Sequence, residues 1–124
     1  MKKTVIALLF AAAAQPAAAR DQEDIFKETL GLWVAASVRM DACSFNSDTD
    51  KKLEAILDAA AEAFHPGFFS WSARSTFRED MELEVAVARL TGYADAKSKG
   101  CFGVDIIERS GRSALESMID MATD

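Results

Sequence analysis

The sequence predicts an all-α protein: a small antiparallel four-helix bundle-like domain with one disulfide, behind a cleaved signal peptide. Three observations carry that expectation. Apolar residues recur at three- and four-residue spacing in four separate segments, and no alternating stretch of strand length interrupts them. The two cysteines, Cys43 and Cys101, fall in the breaks after the first and third segments, which an up-down-up-down order places at one pole. The chain also opens on a segment that reads as an export signal rather than as part of the fold.

That segment is residues 1–19, MKKTVIALLFAAAAQPAAA. Lys2 and Lys3 form the positive start, Val5 to Ala14 the apolar run, and Pro16 the break before the small residues Ala17, Ala18 and Ala19. A spanning helix needs roughly 20 predominantly apolar residues. Here the run is shorter, and no cysteine at the junction marks a lipid anchor. Cleavage before Arg20 leaves one domain over residues 20–124, in a periplasmic or secreted setting of bacterial type. Losing Lys2 and Lys3 takes the formal charge from −6 to −8. Such acidity repels phosphate backbones, which argues against nucleic acid as a partner, and it gains nothing from anionic lipid headgroups. It serves solubility, and it suits equally the capture of a basic partner.

Export places Cys43 and Cys101 in an oxidising compartment, where an even count favours a bridge. There is no C-x-x-C, and neither cysteine has a neighbouring His or basic cluster to activate it, so the pair reads as structural.

The first helix is expected from about Asp21 to Met40, capped by Asp21, with Glu23 and Asp24 in the first turn where the dipole favours negative charge. Ile25, Thr29, Leu32, Trp33, Ala36 and Met40 share a face that Phe26 and Leu30 widen, with Lys27, Glu28 and Arg39 opposite. The second runs from about Asp48 to Phe64, with Ser47 and Asp50 as a cap-like start. Its stripe is Leu53, Ile56, Leu57, Ala60 and Phe64, and His65-Pro66-Gly67 ends it.

The third helix, about Phe77 to Ser98, opens on a Thr76/Glu79 capping pair. It carries two apolar strips, Phe77-Met81-Val85-Ala88-Gly92 and Leu83-Val87-Leu90-Ala94, so neighbours are expected on both sides. Gly92 suggests a close helix–helix approach, and Gly100 a stop. The fourth, about Ile106 to Met121, starts from an Asp105/Glu108 pair and turns Ile107, Gly111, Ala114, Leu115, Met118 and Ala122 inward. Gly111 weakens it.

The pole opposite the cysteines carries the loop 65–75, HPGFFSWSARS. Phe68, Phe69 and Trp71 either fold back to plug the open end of a thin core, or anchor a partner, as aromatic hot spots do. The small core favours the plug. Arg74 and Arg78 could clamp a carboxylate or phosphate, with pairing to Glu79, Asp80 or Glu82 the plainer expectation.

Asp80 and Glu84 share a helical face, which is the minimum for carboxylate chemistry. The Glu-x-x-His pattern of a di-iron bundle is missing, and a solvated seam at a helix start explains the acids more simply. Asn46, Asp48 and Asp50 begin like a calcium loop, but Lys51 and Leu57 stand where Gly and Glu belong. His65, the single histidine, lacks zinc-ligand companions and reads as a helix-end residue.

These observations point to a small exported helical protein that acts by binding another exported or envelope protein, in the manner of an inhibitor, immunity or accessory factor. It would need no cofactor, no metal and no stable membrane anchor. The candidate surface is Phe68, Phe69, Trp71 and Arg74 with the adjoining third helix. Wide apolar faces on the first and third helices leave a homodimer as an alternative. Two further readings are an acid- or stress-responsive periplasmic chaperone and a carboxylate-dependent hydrolase using Asp80 and Glu84.

Overall fold

The computed structural model describes residues 18–45 and 47–123. All but Ala18 and Ala19 of the expected signal peptide lies outside these residues, as does Asn46. Four helices follow in order: α1 (Ala18–Ala42), α2 (Thr49–Phe64), α3 (Trp71–Lys99) and α4 (Val104–Thr123), with a single 3-10 turn at Phe68–Ser70 before α3.

The helices alternate in direction, so α1 and α3 end at the pole where α2 and α4 begin. Cys43 and Cys101 meet there as a disulfide with Cα atoms 5.9 Å apart. Arg39 adds a second tie at this pole, donating from Nη2 to the Gly100 carbonyl at 3.0 Å. Gly100 ends α3 at φ 72°, a backbone conformation that L side chains resist.

Sequence order and spatial order differ. α1 packs against α3 on one side and α4 on the other, and α2 spans the same two helices from the opposite corner. The backbones of the consecutive helices α1 and α2 stand apart, and the two meet mainly through long side chains across the core. The central element is therefore α1, which buries Phe26, Leu30, Trp33 and Val34 against Leu57 of α2, Met81 of α3 and Leu115 of α4. A smaller cluster of Ala36, Met40 and Val104 closes the core beneath the disulfide.

Several local expectations are corrected. α1 runs through Asp21, which therefore does not cap it, and Leu32 points to solvent while Phe26 and Leu30 are wholly buried. The buried arc is centred on Trp33 because α4 sits there, and this turns Leu32 out. At the start of α2 the preceding residue is Asp48, at φ 53°, with no side-chain cap bond. Ser47 instead receives the Thr49 hydroxyl at 2.6 Å and donates its own to Asp41 at 3.0 Å, so the α1–α2 connection is held by a chain of side chains.

α3 begins six residues before Phe77, and Thr76 lies inside it, so the Thr76/Glu79 pair caps nothing. Only its first strip is buried: Phe77, Met81, Val85, Ala88 and Gly92. Leu83, Val87 and Leu90 are exposed, because α1 and α2 both pack on the first strip's side. α4 begins at Val104 and buries Glu108, while Ile107 is half exposed. The expected Asp105/Glu108 cap fails because the Glu108 carboxylate is used in the core.

Gly92 does mark a close approach. A Cβ there would stand 2.7 Å from Val38 Cβ and 2.8 Å from the Ala35 carbonyl oxygen. Gly111 lies similarly against Trp33, with the nearest atom 3.1 Å from where its Cβ would be. Both glycines cost helix propensity and gain interaxial proximity.

Candidate functional site

The pole opposite the disulfide is filled by three phenylalanines from three helices. Phe26, Phe64 and Phe77 stack with ring centroids 5.6–6.1 Å apart. His65 lies beside them, its ring edge-on to Phe77, and its Nε2 reaches 3.4 Å from Glu23 Oε1 of α1. With this trio in place the end of the core is closed, and the loop aromatics are not needed as a plug.

They accordingly stand outside. Phe68, Phe69 and Trp71 are 83%, 91% and 69% exposed. The backbone that presents them is held. Pro66 and Gly67 stop α2, with Gly67 at φ 99°, and Ser70 Oγ donates to the Pro66 carbonyl at 2.7 Å. Arg74, on the first turns of α3, donates from Nη1 to the His65 carbonyl at 2.8 Å and the Gly67 carbonyl at 2.7 Å. Its Nε lies 3.8 Å from Glu62.

The guanidinium is thus a strut beneath the tip, occupied by the tip's own backbone rather than held open as an anion clamp. Phe68 and Phe69 pack edge to face at 5.2 Å and form one apolar knob.

Arg78 serves the opposite purpose from a free clamp. It donates to Asp58 and Glu54 of α2 and to Glu82 of its own helix, riveting α2 to α3. Burial acts to lower its pKa, but the bonds to Glu54 and Glu82 and the charge of Asp58 outweigh burial and raise it. Two of these partners lie on α2, twenty and twenty-four positions away, so only Glu82 is among Arg78's sequence neighbours.

The carboxylates considered for catalysis are not brought to one site. Asp80 lies 3.3 Å from Lys27 Nζ of α1 and is half exposed. Glu84 turns into the groove between α1 and α3, whose lining does not include Asp80. Among the described residues, no group of three His, Cys, Asp or Glu side chains could hold a metal ion, and no helix is long and apolar enough to cross a membrane.

The polar pair that sequence reasoning missed is Trp33 with Glu108, which lie 75 residues apart and carry no shared local pattern. No protein-family model, curated protein or solved structure matches the chain.

Proposed function

We propose that this chain is a small exported protein that works by binding another exported or envelope protein through the aromatic tip formed by Phe68, Phe69 and Trp71. The observation that carries this reading is their exposure on a braced backbone. Large aromatic side chains cost free energy in water, and a cluster of them at a fixed tip is the composition of an interface hot spot. A core-filling role would have explained them more simply, but Phe26, Phe64 and Phe77 already perform it. The acidic balance and the Cys43–Cys101 bridge fit a periplasmic or secreted setting.

The test is affinity capture from an envelope extract with the oxidised protein, beside a Phe69→Ser/Trp71→Ser variant of unchanged circular dichroism. A partner retained by the parent and lost with the variant supports the tip. Equal retention by both removes the tip from the reading.

A further inference from the structure

The exposed strip of α3 lies beside a groove. Leu83, Val87 and Leu90 face outward, and across from Val87 stands Leu32 of α1, also exposed. Between α1 and α3 runs a groove of about 480 Å³, floored by buried small residues including Ala35 and Ala88. Three carboxylates line this apolar setting, Glu28 of α1 and Glu84 and Asp95 of α3. Glu84 is half buried and leans over Gly31, where a Cβ would stand only 2.7 Å from Oε2. Glu28 lines the same groove on α1.

Neither Glu28 nor Glu84 has an ion pair or hydrogen bond among the described residues. Asp95 of the lining is paired with Lys99 at 3.4 Å, and Lys27 is engaged outside the groove with Asp80 at 3.3 Å, which leaves Glu28 and Glu84 as the unpaired acids. Glu28 is exposed and Glu84 half-buried, so a cation arriving from outside reaches both carboxylates without displacing a partner. Apolar side chains with unpaired negative charge among them are complementary to an amphipathic helix that carries Lys or Arg beside its apolar stripe. A second copy of this chain fits poorly, because it would bring acid against acid.

We propose that the α1–α3 groove docks a basic amphipathic segment of a partner protein. The segment's apolar residues cover Leu32 and Val87, and its cation pairs with Glu84 and Glu28. This surface is distinct from the aromatic tip and stands whether or not the tip binds.

The experiment titrates the oxidised, isotope-labelled protein with a synthetic helical peptide of leucine and lysine in amphipathic order, and with a leucine–glutamate peptide of the same pattern. The lysine peptide is expected to shift amide signals of α1 and α3 along the groove, while the glutamate peptide leaves them in place. Glu28→Gln with Glu84→Gln should weaken binding about tenfold. Val87→Lys, a change at an exposed position that leaves the fold intact, should abolish it. Glu116→Gln with Asp120→Gln, on the outer face of α4, should leave it unchanged.

Equal weakening by the two double variants would reveal non-specific attraction to an acidic protein and overturn the proposal. Shifts scattered over the whole acidic surface would do the same. So would a concentration-dependent dimer that sedimentation detects in the parent and not in Val87→Lys.

Discussion

The indole Nε1 of Trp33 donates a 2.7 Å hydrogen bond to Oε2 of Glu108, joining α1 to α4 with both side chains buried. Arg112, one turn on, places its Nε 3.8 Å from the same carboxylate oxygen and keeps the charge from being solitary. Ser37 Oγ, also buried, donates to the Trp33 carbonyl at 2.9 Å. This is the polar centre of an otherwise apolar interface. Replacing Glu108 by Leu leaves the indole N–H without an acceptor, a loss of about 1–3 kcal/mol. Glu108→Gln keeps an acceptor in place and should lose less. Urea unfolding followed by Trp33 fluorescence in a Trp71→Phe background ranks the two, and a Leu variant as stable as the parent would refute the role.

The two glycines at helix contacts should respond differently to alanine. Gly92→Ala gains roughly 1 kcal/mol of helix propensity, yet its Cβ meets Val38 and the Ala35 backbone at less than 3 Å. Backbone cannot swing aside as a side-chain end can, so a net loss of about 1–3 kcal/mol is expected. Gly111→Ala meets Trp33 Cβ at 3.1 Å, a distance that small shifts relieve. Its propensity gain and packing loss should nearly cancel, leaving the change within about 1 kcal/mol. Thermal melts of both variants read the contrast directly.

The Cys43–Cys101 bridge closes a loop of 58 positions. In the chain-entropy treatment a loop of that length contributes about 4 kcal/mol by restricting the unfolded chain. Reduction, or the Cys43→Ser/Cys101→Ser variant, should therefore lower the urea midpoint substantially. Helical circular dichroism in the absence of denaturant should survive if the remaining core suffices. No change in midpoint would mean that the bridge adds nothing to stability.

Arg78 joins α2 to α3 through carboxylates that are each more than half exposed, so solvent screens much of the attraction. Arg78→Ala should cost about 1 kcal/mol, and the difference from the parent should narrow as sodium chloride is raised. The sign of its pH dependence follows from its raised pKa. A group whose folded pKa lies above the unfolded value contributes fully below the unfolded value, and loses that contribution as pH rises through the folded one. The Arg78 guanidinium is therefore a complete contributor at neutral pH, and its own titration weakens the fold only in strong alkali. Denaturation midpoints of parent and variant should stay a constant interval apart across neutral pH.

The tip side chains should be dispensable for folding. Phe68, Phe69 and Trp71 touch little of the core, so serine at Phe69 or Trp71 should move stability by no more than about 0.5 kcal/mol. Phe77→Ala, at the buried member of the aromatic trio shared with Phe26 and Phe64, should cost about 3–5 kcal/mol. Comparable losses at both places would return the tip to the core.

Four helices, the stops after α2 and α3 and the meeting of Cys43 with Cys101 were legible from the chain alone. Helical periodicity is a local property, Pro66 and Gly100 break helices wherever they occur, and alternating direction brings two like ends to one pole. The single strips of α2 and the Phe77 strip of α3 were legible for the same reason.

Tertiary structure decided what local pattern leaves degenerate. α3 has two apolar strips of similar quality, and only the placement of α1 and α2 buries Met81 while exposing Leu83 and Leu90. Glu108 reads as a helix-start acid until Trp33, 75 positions away, brings an N–H donor to it. The loop aromatics read as a plug until Phe26, Phe64 and Phe77 from three helices fill the end of the core first. In each case the deciding partner is distant in sequence, and burial belongs to the assembled helices rather than to any one of them.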